Sequence, residues 1–463
     1  MATQPIVSAI ALPTPDIEPV RILEIELSQL LPTLSAVHED TGQCYHRILC
    51  LVRLHSHPLG TVELHAEKST LEVEEYIQNI WETLSAQINE HLQQDGLLPI
   101  TELTTEGLPY SSLPHCMKER DKFLTDAPFV SVIVPTHDRV DRLALCVRSL
   151  LALHYPHYEI IVVDNAQSTN ATADYIQQLS LDESKVRYVR EDRPGPSWAR
   201  NCGMAIAKGK ILAFVDDDVI VDPYWLVEMV RAFGVSDKVA CVTGLILPIE
   251  LETPAQVWCE DSGGFSKGFS QRIFDMAEHR PKEPLYPYSL GRFGSGANMA
   301  FKAEVLHQIG GFDPALGGNG LSRCGQDIAS FFKVIVQGYQ LVYVPASLVR
   351  HHHRRDYEGL RRQTYNYGVG LMAALTKGLL ENPHLLLDFT MKVPYGLFFA
   401  LSSQSPKNNK KQANYPKELS KLELKGMIYG PLAYLRTRRA MRKLRKVAPP
   451  LEVQTGLLVP KEI

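Results

Sequence analysis

The chain lacks most of the features that would assign it to a membrane, a disulfide scaffold or a nucleic acid. No apolar run is long enough to span a bilayer. The nearest candidate, Leu385 to Leu401, is broken by Asp388, Lys392 and Pro394. Eight cysteines are scattered over 463 residues with no CxxC pair. That argues against a zinc site or a disulfide framework, and for free thiols in a reducing cytosol. The first residues, MATQPIVSAIALPTPDIEP, lack a basic n-region and contain several prolines, so no signal peptide is expected. The net charge of −4 gives no support to general nucleic-acid binding. It hides one asymmetry: Arg436 to Lys446 (RTRRAMRKLRK) holds seven bases and no acid. No internal repeat is present.

What is present is globular, with length for two or three domains. Residues Val20 to about Gln94 pattern as a small α+β module. Arg21–Ile25 and His46–Leu54 read as strands, Ser56–Gly60 as a turn, and Thr61–Leu64 as a resumed strand. Ile77, Ile80, Trp81, Leu84, Ile88 and Leu92 then share one helical face, which reads as core packing. Gly107 to Pro128 has three prolines, the charge cluster KERDK and little periodicity, so it reads as a linker.

From Val130 the character changes. VSVIVP and EIIVVD are continuous apolar runs, as in parallel strands buried on both faces. An amphipathic helical pattern (Arg142 to Leu151) lies between them, and VRYVRE and ILAFVDDD supply two more strands. This alternation predicts an open, doubly wound α/β sheet with ligands at the carboxyl ends of its strands. Pro135-Thr136, Asp164-Asn165 and Asp216 to Asp218 would then face one crevice. Three adjacent acids at a strand end call for a counter-charge, and a hard divalent cation carrying phosphate is the natural one. A solvated acidic turn is the bland alternative.

Taken in order, SVIVPTHDR, IIVVDN, RPGPSWARNCG, FVDDD, GSGANMAF, GGFDPALGG with GQD, and VRHHHR resemble a family 2 glycosyltransferase of the GT-A fold. The resemblance covers roughly Phe129 to Gly370. It implies a Rossmann-like, mostly parallel open sheet at 129–372, a small α+β N-terminal module at 1–105, a linker at 106–128, and a helical, basic C-terminal segment at 373–463.

The resemblance also implies roles. Pro135, Thr136, Arg139, Asp164, Arg193, Arg200 and Asp217 would meet the donor nucleotide. Asp164 would bond its base, since a carboxylate accepts from a uracil-like ring N–H; a helix N-cap is the alternative. Arg193 and Arg200 would meet phosphate, or else form surface salt bridges. Asp216, Asp218 and His351 would hold Mn²⁺ or Mg²⁺, and imidazole beside carboxylates suits Mn²⁺ better. His352 and His353 read as part of a basic surface turn. Gly296, Ala297, Asn298 and Gln326 would line the sugar and acceptor, with an ordinary glycine turn as the alternative for the first three. Asp327 would be the general base of an inverting transfer, or simply an N-cap. Gln326 stands where the family usually has Glu, which removes a charge beside that base. Glu260-Asp261 is a rival acidic pair, set too near the DDD for the usual order.

The implied donor is a nucleoside-diphosphate sugar, UDP favoured over GDP or dTDP. The implied acceptor is a hydroxyl on a glycan or glycolipid, with no nucleic-acid partner. A processive synthase is disfavoured, because there is no QxxRW element and no span. The basic C-terminal segment could lie on anionic lipid at the inner face of the plasma membrane, or be a solvated tail. Two rival functions remain. A sugar nucleotidyltransferase should carry glycines after the first strand, where this chain has Pro135-Thr136-His137-Asp138-Arg139. A non-catalytic sugar-nucleotide or glycan-binding protein is invited by Gln326 alone.

Overall fold

A computed structural model describes residues 17–181, 183–317, 320–322, 324–409, 411 and 414–447, with side chains to 442 in the last helix. The N-terminal leader to residue 16 and residues 448–463 lie outside the described residues.

The N-terminal module contains β1 (Val20–Glu26), β2 (Leu34–Ser35), β3 (Arg47–Leu54), β4 (His57–His65), β5 (Thr70–Leu71) and α1 (Val73–Gln94). β3 pairs in parallel with β1 and antiparallel with β4, and β2 pairs with β5. Tyr76, Ile80, Leu84, Ile88 and Leu92 of α1 are buried in this module's own core, while Ile77 and Trp81 pack only at its margin. The β3–β4 turn differs from expectation. It falls at His55-Ser56, both at positive φ, and His57 to Gly60 already belong to β4. The Glu26 carboxylate fixes it by accepting from the backbone N–H of His55 (3.0 Å) and Ser56 (2.9 Å). That anchor comes from another strand, so the local sequence did not reveal it.

The expected linker is not featureless. α2 (His115–Leu124) lies within it and carries the KERDK cluster. Arg120 of α2 is buried, donates to Glu228 at 2.8 Å, and stacks over Tyr224. Charge that reads as solvated linker is an interior ion pair joining α2 to the central domain. Arg53 makes a second tie, meeting Asp222 at 2.6 Å and Glu24 at 2.9 Å. A cavity of about 380 Å³ lies at this seam; of its charges, Glu24, Arg53, Asp222 and Arg350 are paired with one another, while Glu26 holds the β3–β4 turn.

The central domain runs through β6 (Val130–Thr136), α3 (Val140–Leu151), β7 (Tyr158–Asn165), α4 (Ala171–Leu179), β8 (Val186–Glu191) and α5 (Pro196–Ile206). It continues through β9 (Ile211–Val215), β10 (Val219–Val221), α6 (Trp225–Arg231), β11 (Val239–Pro248), α7 (Pro254–Asp261), β12 (Arg272–Phe274), β13 (Asn298–Lys302), α8 (Ala303–Gln308), α9 (Gln326–Val336) and β14 (Gln340–His351). Among the described residues the sheet order is β10-β14-β11-β13-β9-β6-β7-β8, with β12 also on β14. β8, β7, β6, β9, β11 and β14 run the same way; β13 opposes its neighbours, and β10 and β12 oppose β14. This is the open, mostly parallel α/β sheet that the strand patterns imply.

Every residue of β6, β7, β9 and β11 is buried. Alternate side chains feed two cores, as the pleat requires. Ile133, Ile161 and Phe214 enter one with α5 and α9, while Val132, Val162 and Ala213 enter the other with α3 and α6. Burial on both faces is why these strands read as unbroken apolar runs.

The C-terminal segment is α10 (Tyr357–Glu381), α11 (Leu386–Leu401) and α12 (Lys417–Val447). α10 is continuous through residue 372, so no element ends at the boundary expected there. α10 and α12 pack at backbone contact. A Cβ on Gly368 would lie 2.0 Å from the Glu423 carbonyl oxygen, and one on Gly426 2.2 Å from that of Tyr365. Only glycine permits that approach. Tyr434 of α12 is buried and its hydroxyl donates to Asp313 of the central domain at 3.2 Å. No helix among the described residues is long and apolar enough to cross a membrane.

Replacing Arg120 with Leu strands the Glu228 carboxylate in the interior with only Arg231 in reach. The variant should lose about 3 kcal/mol in urea unfolding. An unchanged midpoint would show that the pair does not hold α2 in place.

Candidate functional site

A cleft of about 890 Å³ opens at the carboxyl ends of the parallel strands. β9 delivers Asp216, Asp217 and Asp218 to its floor. Each acid has its own partner. Asp216 is the most open and accepts from Arg200 Nη2 at 2.8 Å. Asp217 turns under β6, accepting from Thr136 Oγ1 at 2.8 Å and Arg139 at 3.3 Å. Asp218 shares Arg139 at 3.3 Å and lies 3.5 Å from His351 Nε2. Burial, then its neighbour Asp218, pushes the Asp217 carboxyl up to about 6. Burial and Asp216 push Asp218 upward as well. The cluster is short of positive charge, so a divalent cation fits its chemistry.

Sheet register brings the histidines in. β10 pairs antiparallel with the end of β14, setting Val219 opposite His351. The His352 backbone N–H donates to the Asp218 carbonyl at 3.0 Å. Burial pushes His351 down to about 3, so its imidazole is neutral and able to act as a ligand. His353 departs from expectation. It is buried rather than part of a surface turn, 2.9 Å from His351 Nδ1 to Nδ1 and 2.7 Å from Glu260 through Nε2. Asp218, His351, His353 and Glu260 form one file leading away from the cleft. Glu260, expected only as a rival base, orients that file instead. Sequence reading missed His353 because the signal, its burial under α7 and Phe265, is tertiary.

Asp327 stands across the cleft in the first turn of α9. Its Oδ2 accepts from the Gly296 backbone N–H at 2.7 Å. Arg200 Nη2, which holds Asp216, also donates to the Gly296 carbonyl at 3.2 Å. The backbone of one residue, Gly296, therefore joins the acidic cluster to Asp327. A Cβ on Gly296 would sit 2.9 Å from Asp327 Oδ2 and 3.0 Å from Arg200 Nη2, so any side chain there would push on both. Arg200 is almost wholly buried and keeps Nε and Nη1 without partners. Pro135, Ala297 and Gln326 line the same cleft, and Gln326 Oε1 is buried without a partner.

Three expected residues are placed otherwise. Asn298 does not face the cleft. Its side chain is fully buried, accepting from Trp225 Nε1 and donating to the Leu245 and Ser347 carbonyls. Arg193 is clamped on Glu191 at 2.6–2.7 Å and lies over Trp198, away from the lining. Asp164 is buried behind Asn165, with Oδ2 accepting from Tyr188 and Oδ1 unpartnered. Burial holds its carboxyl above the usual range. Asn165 supplies the cleft wall there and ties β7 to the turn before α5 through the Gly195 N–H, 2.7 Å away. Lys267, Arg354 and Arg362 also line the cleft; their wide spacing in the chain hid them from sequence reading.

Residues 131–310 match the family model described as Glycosyl transferase family 2. The glycosyltransferase AglE of Haloferax volcanii is 35% identical over 246 residues, covering 52% of this chain and 73% of that protein. The pre-mycofactocin glycosyltransferase of Mycobacterium tuberculosis is 24% identical over 225 residues, covering 49% of this chain and 43% of that one. The chain spans well under half the length of that relative, and 24% of an uncharacterised Sinorhizobium fredii protein that it matches at 30% identity. A mannosyltransferase from Pyrobaculum calidifontis, solved with GDP-Man and Mn²⁺, aligns with a TM-score of 0.42 at 18% identity, over 72% of this chain and 86% of that one. With ordered motifs, one cleft and a 35% identical relative covered over most of its length, the chain belongs to glycosyl transferase family 2.

Proposed function

We propose that the chain is a metal-dependent, inverting glycosyltransferase that moves one sugar from a nucleoside-diphosphate donor to a hydroxyl acceptor. The observation that carries this reading is the Gly296 backbone, which spaces an acidic cluster from a single carboxylate across one cleft. Asp216, Asp218 and His351 would hold Mn²⁺ or Mg²⁺. The bound cation would supply Lewis-acid stabilisation of the departing diphosphate.

The protein's own residues account for the rest. Arg139, Lys267 and Arg354 give the cleft positive potential for a diphosphate. Asp217, held by Thr136 and Arg139, faces the ribose or donor sugar. Asp327 carries a hydrogen bond on Oδ2 alone, leaving Oδ1 to take the proton from the acceptor hydroxyl. Attack from the Asp327 side, opposite the diphosphate, inverts the anomeric carbon. Gln326 beside it leaves the base without a second negative charge.

The acceptor reading is a lipid-linked or glycolipid hydroxyl at the inner face of the plasma membrane. α11 supports it. None of its residues is buried, although Leu386, Leu387, Met391, Leu397, Phe398 and Leu401 make it apolar. An exposed apolar helix, in a chain that also carries a basic segment from Arg436, suits an anionic bilayer surface.

Asp327→Asn should keep nucleotide binding and lower turnover at least ~100-fold in a donor-consumption assay. Unchanged turnover would remove Asp327 from the base role. Gly296→Ala should also cut turnover, by displacing Asp327, while donor affinity changes little; normal activity would show that the Gly296 join is not needed.

Thermal unfolding against UDP, GDP, dTDP and CMP, with and without Mn²⁺, should show one diphosphate stabilising by about 2–4 kcal/mol, and only with metal. No shift with any of them would reject the donor site. In vesicle sedimentation the protein should co-pellet with anionic but not neutral vesicles, and Leu387→Glu with Met391→Glu should release it. Equal recovery in the supernatant with both vesicle types would reject the membrane contact.

A further inference from the structure

A second cluster lies outside the cleft, where the N-terminal module meets α2. His55 comes from the strained β3–β4 turn, His91 from the last turn of α1, Asp95 from the cap of that helix, and Cys116 from the first turn of α2. One ligand atom from each lies within 4.8 Å of all the others. No other group of three or more His, Cys, Asp or Glu among the described residues meets this condition.

Asp95 is the hub. Its Oδ2 lies 2.6 Å from His55 Nδ1, 3.2 Å from His91 Nε2 and 3.1 Å from Cys116 Sγ, while Oδ1 accepts from the Cys116 N–H at 2.7 Å. His55, His91 and Asp95 are each more than nine-tenths buried. The neighbouring rings of His57 and Tyr110 close the site at 5.1–5.5 Å. Two observations go beyond an internal hydrogen-bond cluster. His91 Nε2 lies 3.2 Å from the carboxylate and is buried without a hydrogen-bond partner among the described residues. Such orphan nitrogens are rare and call for an explanation. The residue spacing adds a second argument. His91 and Asp95 are four apart, one helical turn, so both project towards the same point.

We propose that His55, His91, Asp95 and Cys116 form a structural zinc site. Mixed nitrogen, sulfur and oxygen donors in a closed set of four match tetrahedral Zn²⁺ and do not match Mg²⁺ or Ca²⁺, which favour oxygen. Charge also balances. One thiolate and one carboxylate neutralise the dication, so nothing is left uncompensated in the interior, and the Cys116 thiol proton leaves on binding. The expectation from cysteine spacing was the reverse. Cysteine spacing gives no sign of this site, because only one ligand is a cysteine and the four come from three separate elements.

The site has a structural consequence. It pins the start of α2 to α1 and to the β3–β4 turn, and α2 in turn buries Arg120 against Glu228 of the central domain. Zinc would therefore fix how the N-terminal module is seated. The site is independent of the donor cleft.

The test is metal analysis of the full chain, purified without added metal and dialysed against EDTA. About one zinc per chain should remain in the wild type and in Asp218→Asn. It should fall below about a tenth in Cys116→Ser with His91→Gln. Cobalt replacement should give tetrahedral visible bands with a thiolate charge-transfer band in the wild type, and the Cys116→Ser change should remove the latter. This spectrum settles the matter if the double variant does not fold. Stripping with a strong zinc chelator should lower Tm, and added zinc should restore it. Zinc-free wild-type protein that takes up no cobalt, or full zinc content in the double variant, would overturn the proposal and leave a hydrogen-bonded cluster around Asp95.

Discussion

The rest of the site depends on holding three consecutive carboxylates at the end of one buried strand. β9 ends at Val215, and the chain then places Asp216, Asp217 and Asp218 in a region that burial makes hostile to charge. Each acid is met by a group from a different element: Arg200 from α5, Thr136 from the end of β6, Arg139 from the turn after it, and His351 from the end of β14. These partners reduce the repulsion without removing it. The elevated carboxyls of Asp217 and Asp218 show the shortfall, and that shortfall makes the cleft receptive to a cation bearing phosphate.

The same requirement shapes the far wall. Arg200 serves Asp216 through Nη2, and the same nitrogen donates to the Gly296 carbonyl. Because the Gly296 N–H holds Asp327, the position of the single carboxylate is set by the chemistry of the cluster. The C-terminal helices are part of this enclosure. α10 gives Gln363, Asn366 and Tyr367 to the cleft, and the close α10–α12 contact at Gly368 and Gly426 brings Glu423 to its edge.

What could be read beforehand follows from how locally each feature is encoded. The unbroken apolar strands, the DDD and the glycine loop are contiguous, so their elements and rough placement were visible. Asn298 shows where contiguity misleads. It sits in the loop motif, yet the pleat of β13 turns its amide inward to bind Trp225, Leu245 and Ser347. Arg193 is diverted by a nearer acid, Glu191. His353 and Arg120 read as surface charge because their partners, Glu260 and Glu228, lie about a hundred residues away.

The sequence by itself determined the family, the strand–helix alternation that opens the central domain and the identity of the acidic floor, because period, turn chemistry and adjacent carboxylates are properties of short segments. The tertiary structure alone decided which side chains meet. The antiparallel register of β10 on β14 put His351 beside Asp218, and the Gly296 backbone linked Arg200 to Asp327. The packing of α2 gathered His55, His91, Asp95 and Cys116. Such meetings depend on the register and packing of elements distant in the chain, and burial then decides whether a charge or a lone pair is left without a partner.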